Sequence, residues 1–176
     1  NTVNTSSIVF ENIVPKKEFI QSGVFSKDGG VIMPGESTTF KFHAGKGHTL
    51  MFASMYGYSN DMFFAPENPG LGLFHDDGTP VTGDISQGIR LWDAGTRINQ
   101  IPGPNVTHPG EVQNGVVEKI GDHDRQGNTY VAASMLMKLE LSYNETTSEF
   151  TATITNTSGG TQNETPFSPG IWVISN

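Results

Sequence analysis

The sequence predicts an all-β fold, an antiparallel β-sandwich with long Gly/Pro/Asp-rich loops at one end, in a single domain over residues 1–176. Three observations carry this expectation. Met135, Met137, Leu139, Leu141 and Tyr143 alternate with Ser134, Lys138, Glu140 and Ser142, the period of a half-buried strand. Phe150, Ala152 and Ile154 alternate with Thr151, Thr153 and Thr155 directly after the turn-like stretch 144–148, so the two runs read as an antiparallel hairpin. The chain also holds 21 Gly and 10 Pro, which suit turns between strands and punctuate helices badly, and no stretch shows a helical period.

Taken in order, residues 7–14 and 170–175 are strand-like at the two ends. Between Thr38 and Tyr56, Phe40, Phe42 and Ala44 alternate before Gly45-Lys46-Gly47, and an apolar run from Leu50 to Met55 follows, a pattern that predicts a second hairpin. From Ser59 to Gly121, Gly, Pro, Asn and Asp recur every few residues, which predicts long loops. Loops of that length in a compact domain are usually functional or organised by a metal, since ordering them is otherwise uncompensated. Met62-Phe63-Phe64 directly after Asp61 is expected to run from the core to the loop end and place that carboxylate at the sandwich rim. Trp92 and Trp172 read as core residues.

The formal charge of −8 sets the average surface against a phosphate backbone, so nucleic acid is not expected as a partner. No apolar run approaches the length of a transmembrane helix. The first residues, Asn1-Thr2-Val3-Asn4, lack the basic and apolar regions of a signal peptide, so any export signal is expected to have been removed. Cysteine is absent, which excludes disulfides, thiol catalysis and thiolate metal sites. Asn-x-Ser/Thr acceptors at Asn4, Asn105, Asn144, Asn156 and Asn163 favour a secreted glycoprotein. A Thr-rich strand protein also produces such triplets by composition, and both readings stand.

Carboxylates concentrate where the loops are, among them Asp61, Glu67, Asp76, Asp77, Asp84, Asp93, Glu111, Asp122 and Asp124. Hard cations select such oxygens, and Ca²⁺, with its variable geometry, suits ligands from separate loops better than Zn²⁺. The alternative is a solvated acidic surface. His43, His48, His75, His108 and His123 lack the spacing of a helical zinc site. No Gly-x-Ser-x-Gly elbow, phosphate loop or dinucleotide fingerprint occurs, so an enzyme is not expected and no catalytic residue is nominated.

Tyr58-Ser59-Asn60-Asp61-Met62-Phe63-Phe64-Ala65-Pro66-Glu67 resembles the Ser-Pro-Asp-Trp-Phe-Val-Gly-Val-Asp stretch of the spondin N-terminal domain family. Leu91-Trp92-Asp93-Ala94-Gly95-Thr96 is similar to that family's Asp-Ala-Gly-Thr-Asp. With Phe10-Glu11-Asn12 and His108-Pro109, the resemblance covers about residues 7–143. It implies an exported β-sandwich similar to a C2 domain, a cation at the loop end, adhesion to matrix or cell surface and no enzymatic activity. Carried over by position, it makes Asp61, Glu67 and Asp93 the metal ligands, with Glu67 in place of a family Asp. Arg97 stands where the family has its second acid, so Asp77, Asp84 or a backbone carbonyl is the candidate to compensate. The absence of cysteine departs from animal members and fits a bacterial or archaeal branch.

Two classes of function remain open. One is an exported, calcium-stabilised module that binds a protein or glycan at the cell surface or matrix through its loop end. The other is a structural subunit of an extracellular fibre, a homo-oligomer or filament in which residues 1–12 or 150–176 add a strand to a neighbouring sheet.

Overall fold

The computed structural model describes residues 18–176. In chain order the strands are β1 (Ile20–Phe25), β2 (Ser37–His43), β3 (Thr49–Met55), β4 (Met62–Pro66), β5 (Leu71–Gly72), β6 (Gly83–Asp84), β7 (Ile89–Asp93), β8 (Glu118–Ile120), β9 (Met137–Asn144), β10 (Glu149–Asn156) and β11 (Gly170–Ser175). They form two antiparallel sheets. The larger runs β1-β11-β3-β4-β7-β8, with β5 paired to the start of β3, and the smaller runs β2-β10-β9-β6. The fold is therefore the expected all-β sandwich. The predicted N-terminal strand at 7–14, and the terminal segment 1–12, lie outside the described residues.

Alternation dictates the core. Phe40, Phe42, Met137, Leu139, Leu141, Phe150 and Ile154 all turn inward and are buried, as the period-two pattern requires. Aromatic rings join the sheets: Phe40 of the smaller sheet stacks on Trp172 of the larger at 5.1 Å between centroids. The predicted hairpin of the runs 135–143 and 150–155 is present as β9–β10, with Ala152 opposite Leu141 and Ser148 in the left-handed region at φ 53° to close the turn.

Three expectations need correction. The stretch from Thr38 to Tyr56 is not a hairpin, because β2 pairs with β10 while β3 pairs with β11 and β4. The turn at residues 45–47 carries the chain from one sheet to the other. Two consecutive strands with buried apolar faces show the same pattern whether they pair or face each other. Met135 does not belong to β9; it lies in a one-turn helix, α1 (Ala133–Leu136), and is exposed. Trp92 points to the outer face of the larger sheet, where its Nε1 donates to the Ala65 carbonyl at 3.0 Å. The expected long loops contain the short strands β4 to β8, and the longest irregular stretch left is residues 94–117. No helix among the described residues is long and apolar enough to cross a membrane.

Leu139 is fully buried, so Leu139→Ala should lower the unfolding free energy by about 2–5 kcal/mol in urea denaturation. Lys41→Ala removes an exposed ion pair with Glu149 and should change it by less than about 1 kcal/mol. Equal losses in the two variants would refute the assigned strand faces.

Candidate metal centre

Strands β4 and β7 are antiparallel neighbours with Met62 opposite Asp93. The start of one and the end of the other therefore meet at one end of the sandwich, and Asp61 and Asp93 meet with them. Asp93 continues the inward series Ile89, Leu91, Asp93, which puts a carboxylate where the pattern calls for an apolar side chain. Only 2% of Asp93 and 5% of Asp61 are exposed.

The Asp-Ala-Gly-Thr stretch folds around these two carboxylates. Asp61 Oδ2 accepts from the backbone N–H of Thr96 (2.7 Å), the Thr96 hydroxyl (2.8 Å) and the backbone N–H of Arg97 (2.9 Å). Asp93 Oδ1 accepts from the Gly95 N–H at 2.7 Å, and its Oδ2 from Asn99 Nδ2 at 2.8 Å. Gly95 has φ +70°, and a Cβ there would lie 2.5 Å from the Val116 carbonyl oxygen. Only glycine combines that turn with that approach. The motif thus carries a physical requirement: one Asp caps the turn, Gly makes it, and Thr and the following residue bind the other Asp.

These contacts leave two oxygens without a partner. Asp61 Oδ1 and Asn99 Oδ1 are buried and accept no hydrogen bond, and Asn99 is itself 4% exposed. A buried orphan acceptor costs about 1–3 kcal/mol. Asp93 adds to the strain, since burial first, and then the charges of Asp61 and Glu118, hold its pKa above the ordinary carboxylate range. Two carboxylates and an amide, all oxygen donors and partly unsatisfied, fit a hard cation such as Ca²⁺ and do not fit a thiolate- or imidazole-seeking metal. Among the described residues no three His, Asp or Glu side chains converge. The remaining ligands of a six- to eight-coordinate ion would be backbone carbonyls or water.

The other sequence candidates lie elsewhere. Glu67 follows β4 and so sits at the opposite end of that strand from Asp61. It is exposed, and Arg90 (2.7 Å) and Lys119 (3.2 Å) pair with it and hold its pKa low. Asp84 lies in β6 of the smaller sheet, opposite Glu140, and accepts from Ser86. Asp77 lies in the loop after β5, where it accepts from the Thr79 N–H and hydroxyl. Neither Asp77 nor Asp84 is positioned to replace the missing acid at Arg97. Arg97 meets Asp61 through its backbone N–H. The further buried polar residue at the centre is Asn99, which binds Asp93; it is neither a carboxylate nor a histidine, and its only signal is burial in the fold.

The glycosylation candidates divide in the same way. Asn105 and Asn144 are exposed. Asn156 is fully buried, with Nδ2 donating to the Ile32 and Thr165 carbonyls. Asn163 is also buried; its Nδ2 donates to the Thr129 carbonyl and its Oδ1 accepts from Val131. A glycan on either would displace these bonds, so both are structural amides in the folded chain. Asn4 lies outside the described residues.

The fold and the site together define a class: an all-β sandwich with a buried two-aspartate centre at one loop end. Comparison with known protein families, curated proteins and solved structures finds no match.

A raised native pKa means that folded Asp93 binds its proton more tightly than unfolded Asp93. The stability it contributes is then full below the unfolded value, about 3.9, and is lost as pH rises through the higher folded value. In chelator, wild type should therefore gain stability relative to Asp93→Asn as pH falls from neutral toward 4. Urea denaturation of both proteins across that range reads the difference, and a gap that stays constant contradicts the electrostatic account.

Proposed function

We propose that the protein is an exported, calcium-stabilised, non-enzymatic module that binds a protein or glycan at the cell surface or matrix. The observation that supports the cation is the pair of orphaned buried oxygens, Asp61 Oδ1 and Asn99 Oδ1, beside the desolvated carboxylate of Asp93. The resemblance of the two Asp-bearing stretches to spondin N-terminal domains supports the adhesive role and the export. Calcium has a plain physical task in this reading. It satisfies the orphan oxygens and cancels the repulsion between Asp61 and Asp93, which keeps the irregular segment 94–117 in one arrangement and presents a fixed contact surface at that end.

Linkage sets the test. Calcium should raise the melting temperature in proportion to the logarithm of its free concentration. Asp93→Asn should be no less stable than wild type in chelator, because it removes a buried charge, and less stable in calcium, because it removes a ligand. Asn99→Ala should weaken the calcium response, while Glu67→Gln, at the far end, should leave it unchanged. Isothermal titration on chelator-treated protein decides: no calcium heat together with no shift in melting rejects the site. The adhesive role is read separately, as calcium-dependent retention on a glycan array and on matrix glycoprotein surfaces, which Asp93→Asn should abolish.

A further inference from the structure

Asn114 is followed by Gly115, the only Asn-Gly pair in the chain. Asparagine is a thermolabile residue, and glycine after it opens the way to deamidation, because no Cβ hinders the approach of the glycine nitrogen to the preceding side chain. In that reaction the nitrogen of Gly115 attacks Asn114 Cγ, its proton goes to solvent and ammonia leaves, which closes a succinimide ring. Water then opens the ring at either carbonyl and gives aspartate or isoaspartate. One water enters and one ammonia departs, so no oxidant or cofactor is needed. Asn114 meets the requirement on its own side: it is exposed, it lies in irregular chain, and its side-chain amide bonds to no described residue.

The glycine side is held. Residues 111–115 run antiparallel to residues 95–98: the Ile98 N–H donates to the Glu111 carbonyl (2.9 Å), the Gln113 N–H to the Thr96 carbonyl (2.9 Å) and the Gly115 N–H to the Gly95 carbonyl (2.7 Å), with Arg97 bridged to Val112. Attack requires the Gly115 nitrogen to lose its proton and turn toward Asn114, and the bond to Gly95 opposes both. Packing also explains why glycine stands here. A Cβ on Gly115 would lie 3.0 Å from the Gly95 carbonyl oxygen and 3.2 Å from the Gly95 Cα, and one on Gly95 would lie 2.9 Å from the Gly115 carbonyl carbon. The segments meet glycine on glycine. Residues 96 and 97 are fastened in turn by Asp61 Oδ2, which takes the Thr96 N–H, the Thr96 hydroxyl and the Arg97 N–H.

We propose that Asn114 is a deamidation site gated by the loop end. While the segment is closed, the Gly115–Gly95 hydrogen bond withholds the nucleophile. When it opens locally, the succinimide forms and the change is permanent. Either product adds a negative charge to a chain already at −8, at the end of the sandwich where Asp61 and Asp93 meet. Isoaspartate also inserts a methylene into the main chain, and the glycine-on-glycine contact has no room for the shift, so a chain that has reacted recloses less well. The gate is built from contacts of the chain itself and does not depend on a bound cation.

The test is peptide-mass mapping of the full chain held at neutral pH over weeks, in chelator so that the outcome is separate from calcium, with the urea-unfolded chain as reference. In urea, Asn114 should deamidate ahead of every other asparagine, and Asn114→Gln should lose that product. In the folded wild type the same reaction should be slower by about tenfold or more, the protection that local closure confers. Asp61→Ala, which removes all three bonds that fasten residues 96 and 97, should raise the folded rate toward the urea value, with the far-ultraviolet spectrum reading whether the sandwich remains. Hydrogen exchange at the Gly115 amide of wild type gives a reading that needs no variant and should show protection of about the same size. Another asparagine reacting first in urea overturns the site. A folded rate equal to the urea rate, an unprotected Gly115 amide, or a folded Asp61→Ala that reacts no faster than wild type overturns the gate.

Discussion

A buried carboxylate with three donors on one oxygen and none on the other is the constraint around which the loop end is built. Asp61 Oδ2 binds Thr96 twice and Arg97 once, which fastens the start of the long segment 94–117 to the start of β4. Asp93 and Gly95 set the turn that makes those donors available, and the Gly115 N–H then donates to the Gly95 carbonyl at 2.7 Å and returns the segment toward the same turn. Further bonds run alongside the clasp, from the Ala94 N–H to the Asp61 carbonyl, from the Gly103 N–H to the Tyr58 carbonyl and from Asn60 Nδ2 to the Thr107 carbonyl. The clasp also creates the cost. One oxygen is fully satisfied while the other has no donor, and the nearby carboxylate of Asp93 adds repulsion to that cost.

Such a centre is organised differently from the polar clusters elsewhere in the molecule. Asp124 is as buried as Asp61, yet it accepts from the Gln126 and Asn128 N–H groups, from Asn128 Nδ2 and from the Tyr130 hydroxyl. Asn156 and Asn163 likewise use both ends of their amides. These side chains replace strand pairing where the sandwich is closed by loops, and they are complete in themselves. The centre at Asp61, Asp93 and Asn99 is incomplete, and that difference, rather than acidity alone, sets it apart from the structural clasps.

The asymmetry of the sandwich has a similar origin. Both sheets bury one apolar face against the other, and the stacked rings of Phe40 and Trp172 show how closely they meet. What remains is two outer faces: the smaller sheet's carries ion pairs and hydroxyls, and the larger sheet's carries branched and aromatic side chains over β1, β11, β3 and β4, with the Glu67 pairs to Arg90 and Lys119 beside them. Part of the larger sheet's outer face is packed within the sheet itself, where Phe63 stacks on Trp92 at 6.5 Å between centroids and Trp92 Nε1 donates to the Ala65 carbonyl.

How much of this was legible depended on whether the deciding interaction is local. Period two over Met137–Tyr143 and Phe150–Thr155, with Gly- and Pro-rich stretches between strands, determined the strands, their buried faces and the sandwich class, because strand geometry makes side-chain direction a property of neighbouring residues. The loop-end position of Asp61 followed from the apolar run after it. Sheet membership did not follow, since a strand with one buried face reads the same whether its chain neighbour pairs beside it or packs across from it, and so the turn at residues 45–47 looks like a hairpin turn although it joins the two sheets. The composition of the centre was hidden for the same reason. Glu67 is six residues from Asp61 in sequence but at the other end of β4 in space, whereas Asn99 is brought to Asp93 by a turn. The sequence by itself determined which residues want to be buried; only the tertiary structure decided which buried oxygens would be left without a donor, because that depends on the pairing of β4 with β7 and on donors already taken.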